Sequence, residues 1–371
     1  MRIGSWVITY SLNCIRQGPA HLGGRIWLFL LSMVSWLYSP LVRLRGLAYS
    51  LGWMPQGRLP VPVISVGNIS LGGTGKTPLV ERIARAVSEE KKRVAILIRG
   101  YRGSSEAETV VVSDGTRLLS RSAEAGDEAY LLAKRLPSVA VVAGKDRYRA
   151  GSLAITDLGA QSLVLDDGFQ HRSLKRDLDI VSIDASEPFG YGHLFPRGLL
   201  REPLESLSRA DVLVIIRAKA DQDLEEIRGR LRRYNPRAAL FVGERRPLSF
   251  MKMPEESQHR LEEIRGWKCV AFCGIANPPS FLALLSSLGA EVMRSFSFPD
   301  HHPYRLEELG EIVGWAKEAK VQALLTTEKD SVRLPEDLYP LPIPLYYLRM
   351  EIQLSQEKEF FSLVRGAGRA S

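Results

Sequence analysis

Residues 70–77 read Ser-Leu-Gly-Gly-Thr-Gly-Lys-Thr, and no other stretch of the chain restricts the fold as tightly. Ahead of it, Leu59-Pro-Val-Pro-Val-Ile-Ser-Val-Gly67 predicts a linker running into a buried strand. Behind it, a helical pattern starts at Lys76 and continues to about Glu90. Glycines between a strand and a helix let backbone N–H groups turn inward around phosphate oxygens. The helix N-terminus adds the positive end of its dipole. Lys76 is then placed to reach β- and γ-phosphates, and the Thr77 hydroxyl to ligate Mg²⁺. The candidate binding set is Gly72, Gly73, Thr74, Gly75, Lys76 and Thr77. A strict phosphate loop has Gly where Ser70 stands, so a glycine-rich structural turn is the competing reading. Either way, the octapeptide alone does not say what a nucleotide would be used for.

Around this unit the chain alternates. Short β-branched runs at Arg93–Ile98, Thr109–Ser113, Val139–Ala143, Ser162–Leu165, Asp179–Ile183 and Val212–Ile216 predict strands, with helical patterns near Asp127–Arg135 and Asp146–Asp157. Strands alternating with helices predict an α/β fold with a P-loop-type, mostly parallel sheet flanked by helices. A polar segment around Ala218–Asp223 separates this series from a second one. Its strands are expected at Ala239–Val242, Cys269–Cys273, Glu291–Phe298, Ala323–Thr327 and Leu345–Leu348, with helices near Pro279–Leu288 and Leu306–Lys320. The expected organisation is a basic, apolar segment over 1–55, a core over 56–218, and a smaller α/β domain over 219–371.

Charge is distributed unevenly. The 371 residues carry 50 basic and 42 acidic side chains, a net charge of +8. Residues 1–80 hold seven of the basic ones and no acid; the remaining 43 and 42 nearly cancel, which excludes a uniformly basic protein. Three cysteines (Cys14, Cys269 and Cys273) without repeated spacing argue against a disulfide framework and against a zinc site. Within the acid-free region, Ile26–Tyr38 is a strongly apolar run of 13 residues before Ser39-Pro40. Roughly 20 are needed to span a bilayer, so the run by itself is too short. It reads as a helix lying in a membrane interface, with Arg25, Arg43 and Arg45 meeting anionic head groups, or as a core helix capped by arginines.

Chemistry beyond phosphate binding needs acids. Gln161-Ser-Leu-Val-Leu-Asp-Asp-Gly168 is an apolar strand ending in two carboxylates, Asp166 and Asp167, suited to a Mg²⁺ shell beside a phosphate loop. A kinase also needs a group to accept or orient the proton of an acceptor hydroxyl. Asp127 in Gly126-Asp-Glu128 is a candidate, although it could equally be a helix cap. The doublet His301-His302 could orient such a base. Arginine-bearing turns at Arg99-Gly-Tyr-Arg102, Lys145-Asp-Arg147 and Pro196-Arg-Gly-Leu-Leu-Arg-Glu202 suit anionic ligands. No convincing guanine-reading or switch sequence accompanies the loop; Thr327-Glu-Lys-Asp330 is only a loose echo of one.

Taken together, these motifs resemble the tetraacyldisaccharide 4′-kinases, the lipid A 4′-kinases of Gram-negative bacteria. The resemblance runs from about Pro40 to the C-terminal region. It rests on Val66–Pro78, Arg99-Gly-Tyr, Gly126-Asp-Glu, Asp166-Asp-Gly-Phe-Gln-His171, Phe195–Pro203, Phe298-Pro-Asp-His-His302 and Thr327-Glu-Lys-Asp330. It implies ATP- and Mg²⁺-dependent phosphorylation of the 4′-hydroxyl of a lipid disaccharide 1-phosphate. Asp127 matches the family's base and a histidine of the doublet its partner, for which His301 is chosen over His302. Lys76 would serve the transfer itself, Thr77, Asp166 and Asp167 the metal, and Arg201 and Glu202 the bound cofactor. The resemblance also favours the interfacial helix and the cytoplasmic face of the inner membrane, peripheral or monotopic, with no nucleic acid and no obligate protein partner. A P-loop ATPase coupled to a membrane partner is the alternative.

Overall fold

A computed structural model describes residues 3–72, 75–100, 109–217 and 223–367. In chain order the elements begin α1 (Ile3–Gln17), α2 (Leu22–Ser50), β1 (Val63–Gly67), α3 (Lys76–Ser88), β2 (Val94–Ile98) and β3 (Val110–Asp114). They continue α4 (Ser122–Ala125), α5 (Asp127–Arg135), β4 (Ala140–Ala143), α6 (Arg147–Thr156), β5 (Ser162–Asp166), β6 (Leu178–Asp184) and β7 (Val212–Arg217). The second half adds α7 (Glu225–Tyr234), β8 (Ala239–Met253), β9 (Ser257–His259), β10 (Lys268–Cys273), α8 (Pro278–Ser287) and β11 (Glu291–Ser297). It closes with α9 (Leu306–Glu318), β12 (Ala323–Thr327), α10 (Glu328–Ser331), β13 (Leu345–Leu354) and α11 (Glu357–Ala367).

One sheet runs through both halves in the order β11-β10-β12-β13-β8-β7-β6-β1-β5-β2-β4-β3, with β9 on β8. All pairs are parallel except β13 with β8, β8 with β9, and β3 with β4. β8 joins the halves. Its first residues pair parallel to β7, and the rest pair antiparallel to β13 as far as Met253. The sequence predicts only Ala239–Val242 there, and the strand carries on through the charged Glu244-Arg-Arg-Pro247. Those charged side chains are half-exposed or exposed in the strand.

β1 and β5 are buried along their whole length, as expected of parallel strands covered on both faces. Side-chain alternation decides what each face meets. Ile64, Val66 and Val164 join Leu79, Val80 and Ile83 of α3 and Leu132 of α5. Val63, Leu163 and Leu165 face Ala150 and Ala154 of α6. Helix α11 sends Phe360, Phe361 and Val364 into the same cluster as α3, so the end of the chain completes the first half's core. Neither α7 nor α11 is expected from the sequence.

The N-terminal helix differs from the sequence reading in length. α2 runs 29 residues, straight through Pro40, and is long and apolar enough to cross a membrane by length and composition. A proline inside a helix removes one ladder bond and usually ends it. Here both flanks are held by the body: Ser35 Oγ donates to the Leu194 carbonyl (2.9 Å), and Arg172 donates to the Gly46 carbonyl (2.7 Å) and to Ser50 Oγ (3.2 Å). α1 folds back on α2 through Trp27 Nε1, which donates to Ser11 Oγ (3.0 Å). Among the described residues, nothing covers the outer face of α2. Leu37 is 74% exposed and Trp36 69%, with Ile26, Phe29, Leu30, Met33, Leu41 and Leu44 also exposed. The core-helix reading is therefore set aside.

Candidate active site

The phosphate loop leaves the C-terminal end of β1, between β5 and β6 in the sheet. Asn68 caps the exit by donating its side-chain amide to the Ser70 carbonyl (2.6 Å). Gly67 must lack a side chain, since a Cβ there would sit 2.5 Å from Phe169 Cβ. Gly75 has φ +75°, the left-handed conformation that glycine adopts freely, and leads directly into α3. Gly72 lies in the loop, Thr77 is the half-buried second residue of α3, and Gly73 and Thr74 fall outside the described residues. Leu199–Arg201 lies against the start of the loop: Leu71 N–H donates to the Leu199 carbonyl and Arg201 N–H to the Ile69 carbonyl, each 2.7 Å. This pairing brings Arg201 to the site.

Asp166 ends β5, opposite Val66 of β1, and Asp167 follows it in the turn. Lys76 Nζ lies 3.3 Å from Asp167 Oδ1, and Arg201 Nη1 donates to Asp167 Oδ2 at 2.7 Å. Burial works against the charged Asp167, but Lys76 and Arg201 overcome it and lower its pKa. Asp166 is 3% exposed and has the opposite fate. Desolvation, then the nearby Glu128 and Asp167 charges, outweigh Lys76 and Arg147 and push its carboxyl up to about 7. Glu202 lies just off this cluster, buried, where Arg209 Nη1 donates to it at 2.8 Å. Among the described residues no group of three or more His, Cys, Asp or Glu is arranged to hold a metal unaided. Mg²⁺ commonly takes only one or two carboxylates, with phosphates and water completing its shell. A buried carboxylate crowded by like charges, beside the phosphate-loop lysine, fits such a cation.

A second cluster assembles from three distant segments. Asp127 is the first residue of α5, and Ser122 Oγ donates to its Oδ1 (2.9 Å). His301 comes from the loop after β11, in a left-handed conformation (φ +61°), and its Nδ1 lies 3.2 Å from Asp127 Oδ2. Arg333, just after α10, donates Nε to the same oxygen at 2.6 Å. Burial works to raise the Asp127 carboxyl, but hydrogen bonds from His301, Arg333 and Ser122, with the Arg333 charge, hold it well below the usual carboxylate range. The other histidine of the doublet points elsewhere: His302 stacks on Phe298 and its Nε2 pairs with Glu308 of α9 at 2.9 Å.

Thr327-Glu-Lys-Asp330 fastens this cluster. Glu328 pairs with Arg135 of α5, which also pairs with Glu81 of α3. Lys329 Nζ donates to Glu128 at 2.8 Å. Asp330, fully buried, accepts from Gly274 N–H (3.0 Å) and Arg333 Nη1 (3.1 Å). Burial would raise Glu128, but Lys329, then Lys76 and His301, hold it lowered. Glu128 thus feels charges from both clusters. Glu128, Lys329 and Arg333 are absent from the candidates read off the sequence. Glu128 and Lys329 lie inside quoted motifs, whereas Arg333 is signalled only by its i+3 spacing from Asp330.

Fold and loop define a P-loop protein: a strand, a glycine turn and a helix at the centre of a parallel sheet, with carboxylates on the neighbouring strand. The model of the Tetraacyldisaccharide-1-P 4′-kinase family matches residues 27–368, and the chain belongs to that family. The tetraacyldisaccharide 4′-kinase of Halothermothrix orenii is 42% identical over 362 residues, covering 93% of this chain and 94% of that one. That of Desulfatibacillum aliphaticivorans is 41% identical over 339 residues, covering 89% and 90%. A crystal structure of LpxK from Aquifex aeolicus in complex with ATP superposes with a TM-score of 0.75 at 33% identity, covering 92% of this chain and 99% of that one.

Proposed function

We propose that the protein transfers the γ-phosphoryl group of ATP to the 4′-hydroxyl of a tetraacyldisaccharide 1-phosphate, a step of lipid A biosynthesis. The observation that carries this reading is the meeting of Asp127 with His301 across 174 positions, beside Glu128, which senses Lys76. Such a pair can serve an attacking hydroxyl or an attacking water, and the family match favours the sugar hydroxyl.

In this reading the phosphate loop and Lys76 hold the β- and γ-phosphates, and Arg201 steadies Asp167. Thr77, Asp166 and Asp167 would hold Mg²⁺, which when bound would draw charge off the phosphates. Asp127 takes the proton as the sugar O–H bond breaks. The freed oxygen forms its bond to the γ-phosphorus, and the bond from that phosphorus to the β,γ-bridging oxygen breaks, releasing ADP. Catalysis of this kind is mostly positioning and electrostatics.

The uncovered face of α2 supports attachment to the membrane that carries the substrate. Each large apolar side chain moved from water into lipid contributes roughly 1.5–3 kcal/mol. We place the protein on the cytoplasmic face of the inner membrane, where ATP is available. One assay tests both statements: vesicles containing the lipid disaccharide 1-phosphate, with γ-labelled ATP and Mg²⁺. The protein floats with the vesicles and the label moves into lipid. Label released only as free phosphate would establish an ATPase instead, and protein left in the soluble fraction would remove the membrane assignment.

A further inference from the structure

Arg333 lies outside every motif read in the sequence, yet it is the most constrained cation in the acceptor-side cluster. Its side chain is 4% exposed. Nε donates to Asp127 Oδ2 (2.6 Å), and Nη1 donates to the Gly274 carbonyl and to Asp330 Oδ1 (both 3.1 Å). Nη2 lies 3.0 Å from His301 Nδ1. One guanidinium therefore touches both members of the proposed proton-accepting pair and is held from behind by a buried carboxylate.

The His301 contact carries a restriction. Arginine has donors only, so a hydrogen bond from Nη2 to Nδ1 uses the nitrogen's lone pair. The same Nδ1 lies 3.2 Å from Asp127 Oδ2, where a hydrogen bond needs a proton on that nitrogen. The two bonds exclude each other. Nδ1 serves one of them at a time, while Arg333 Nε donates to Asp127 Oδ2 in either case.

We propose that Arg333 is a positioning residue for phosphoryl transfer: its fork holds Asp127 in place as the carboxylate and keeps the His301 ring against it. The pair then enters the reaction with the proton-accepting site empty, and Asp330 keeps the fork aimed. This proposal rests on the assignment of Asp127 as the base. The charges around Asp127 agree with it. Glu128 is the neighbouring acid on α5, countered by Lys329 and by Lys76 of α3. Arg333 and His301 face Asp127 from the second half, with Asp330 and Tyr304 behind Arg333. Of these, Arg333 is the cation in direct contact with the carboxylate, and its charge helps keep Asp127 below the usual range.

The test is the pH dependence of kcat with ATP, Mg²⁺ and the lipid disaccharide 1-phosphate, for wild type, Arg333→Gln and Arg333→Lys. Losing an adjacent cation raises a carboxylate pKa by about 1–3 units. The acid limb of the kcat profile moves to higher pH by about that much in Arg333→Gln. In Arg333→Lys, which keeps the charge without the fork, it moves less. KM for ATP stays near the wild-type value in both. A loss of turnover by the same factor at every pH, or a rise in the KM for ATP that accounts for the loss, would overturn the proposal. Arg333→Lys carries the test if Arg333→Gln does not fold, as judged by thermal melting. Asp127→Asn, run alongside, separates the two assignments. Turnover surviving in Asp127→Asn overturns the base itself. An inactive Asp127→Asn beside an unshifted Arg333→Gln profile overturns only the role of Arg333.

Discussion

Two aspartates of the candidate active site are treated in opposite ways. Asp166, at the end of β5, is buried among acids and pushed up to about 7. Asp127, at the start of α5, is also partly buried but is held far below the ordinary carboxylate range by His301, Arg333 and Ser122. The difference lies in what stands nearby. Asp166 is short of positive charge, so the arrival of a cation relieves it. Asp127 already has its donors, so it is ionised before substrate arrives. The proposed transfer uses both states, Asp166 to meet metal and phosphate and Asp127 to take a proton.

Three substitutions test that contrast. A large effect is expected from Lys76→Ala, which removes the ammonium beside Asp167 from the phosphate end. Turnover should fall by about 10²–10³-fold, as for loss of one preorganised charge-stabilising donor. ATP affinity, measured by calorimetry, should fall with it. An unchanged ATP Kd would mean that Lys76 does not serve the phosphates.

Asp166→Asn should act in two directions. An unfolded aspartate titrates near ~3.9, and the folded one at about 7. Between these values the folded protein holds a proton that the unfolded chain has released, so stability falls as pH climbs through that window. Above it the full penalty remains. The amide cannot ionise, so without metal Asp166→Asn should be more stable than wild type at pH 8, by on the order of a few kcal/mol, and melt higher, while losing Mg²⁺-dependent turnover. A lower melting temperature at pH 8 would contradict the crowded-acid picture.

Legibility in the sequence follows the same division. The phosphate end is made by contiguous residues and backbone geometry, so strand, loop and helix could be read directly. Asp166 and Asp167 followed because an apolar run ending in two acids is a local pattern. α5 was expected over Asp127–Arg135 and lies there. The acceptor side is assembled across 206 positions, from Asp127 to Arg333, and a long-range ion pair leaves no local trace. For the same reason the Arg135 links to Glu81 and Glu328 were invisible. The histidine doublet could not be divided by spacing. Glu308 and Phe298 engage His302, and His301 is left to reach Asp127. The length of α2 was missed because Pro40 reads as a stop, and its supports, Leu194 and Arg172, are far away in the sequence.

The most direct measurement of the central claim is Asp127→Asn, with ATP binding and phosphoryl transfer recorded on the same preparation. The two aspartates serve different partners, so ATP should bind with near wild-type affinity while transfer to the lipid falls by about 10²–10⁴-fold, the usual cost of losing a general base. Transfer persisting at a near-normal rate, or ATP affinity collapsing together with transfer, would contradict the account.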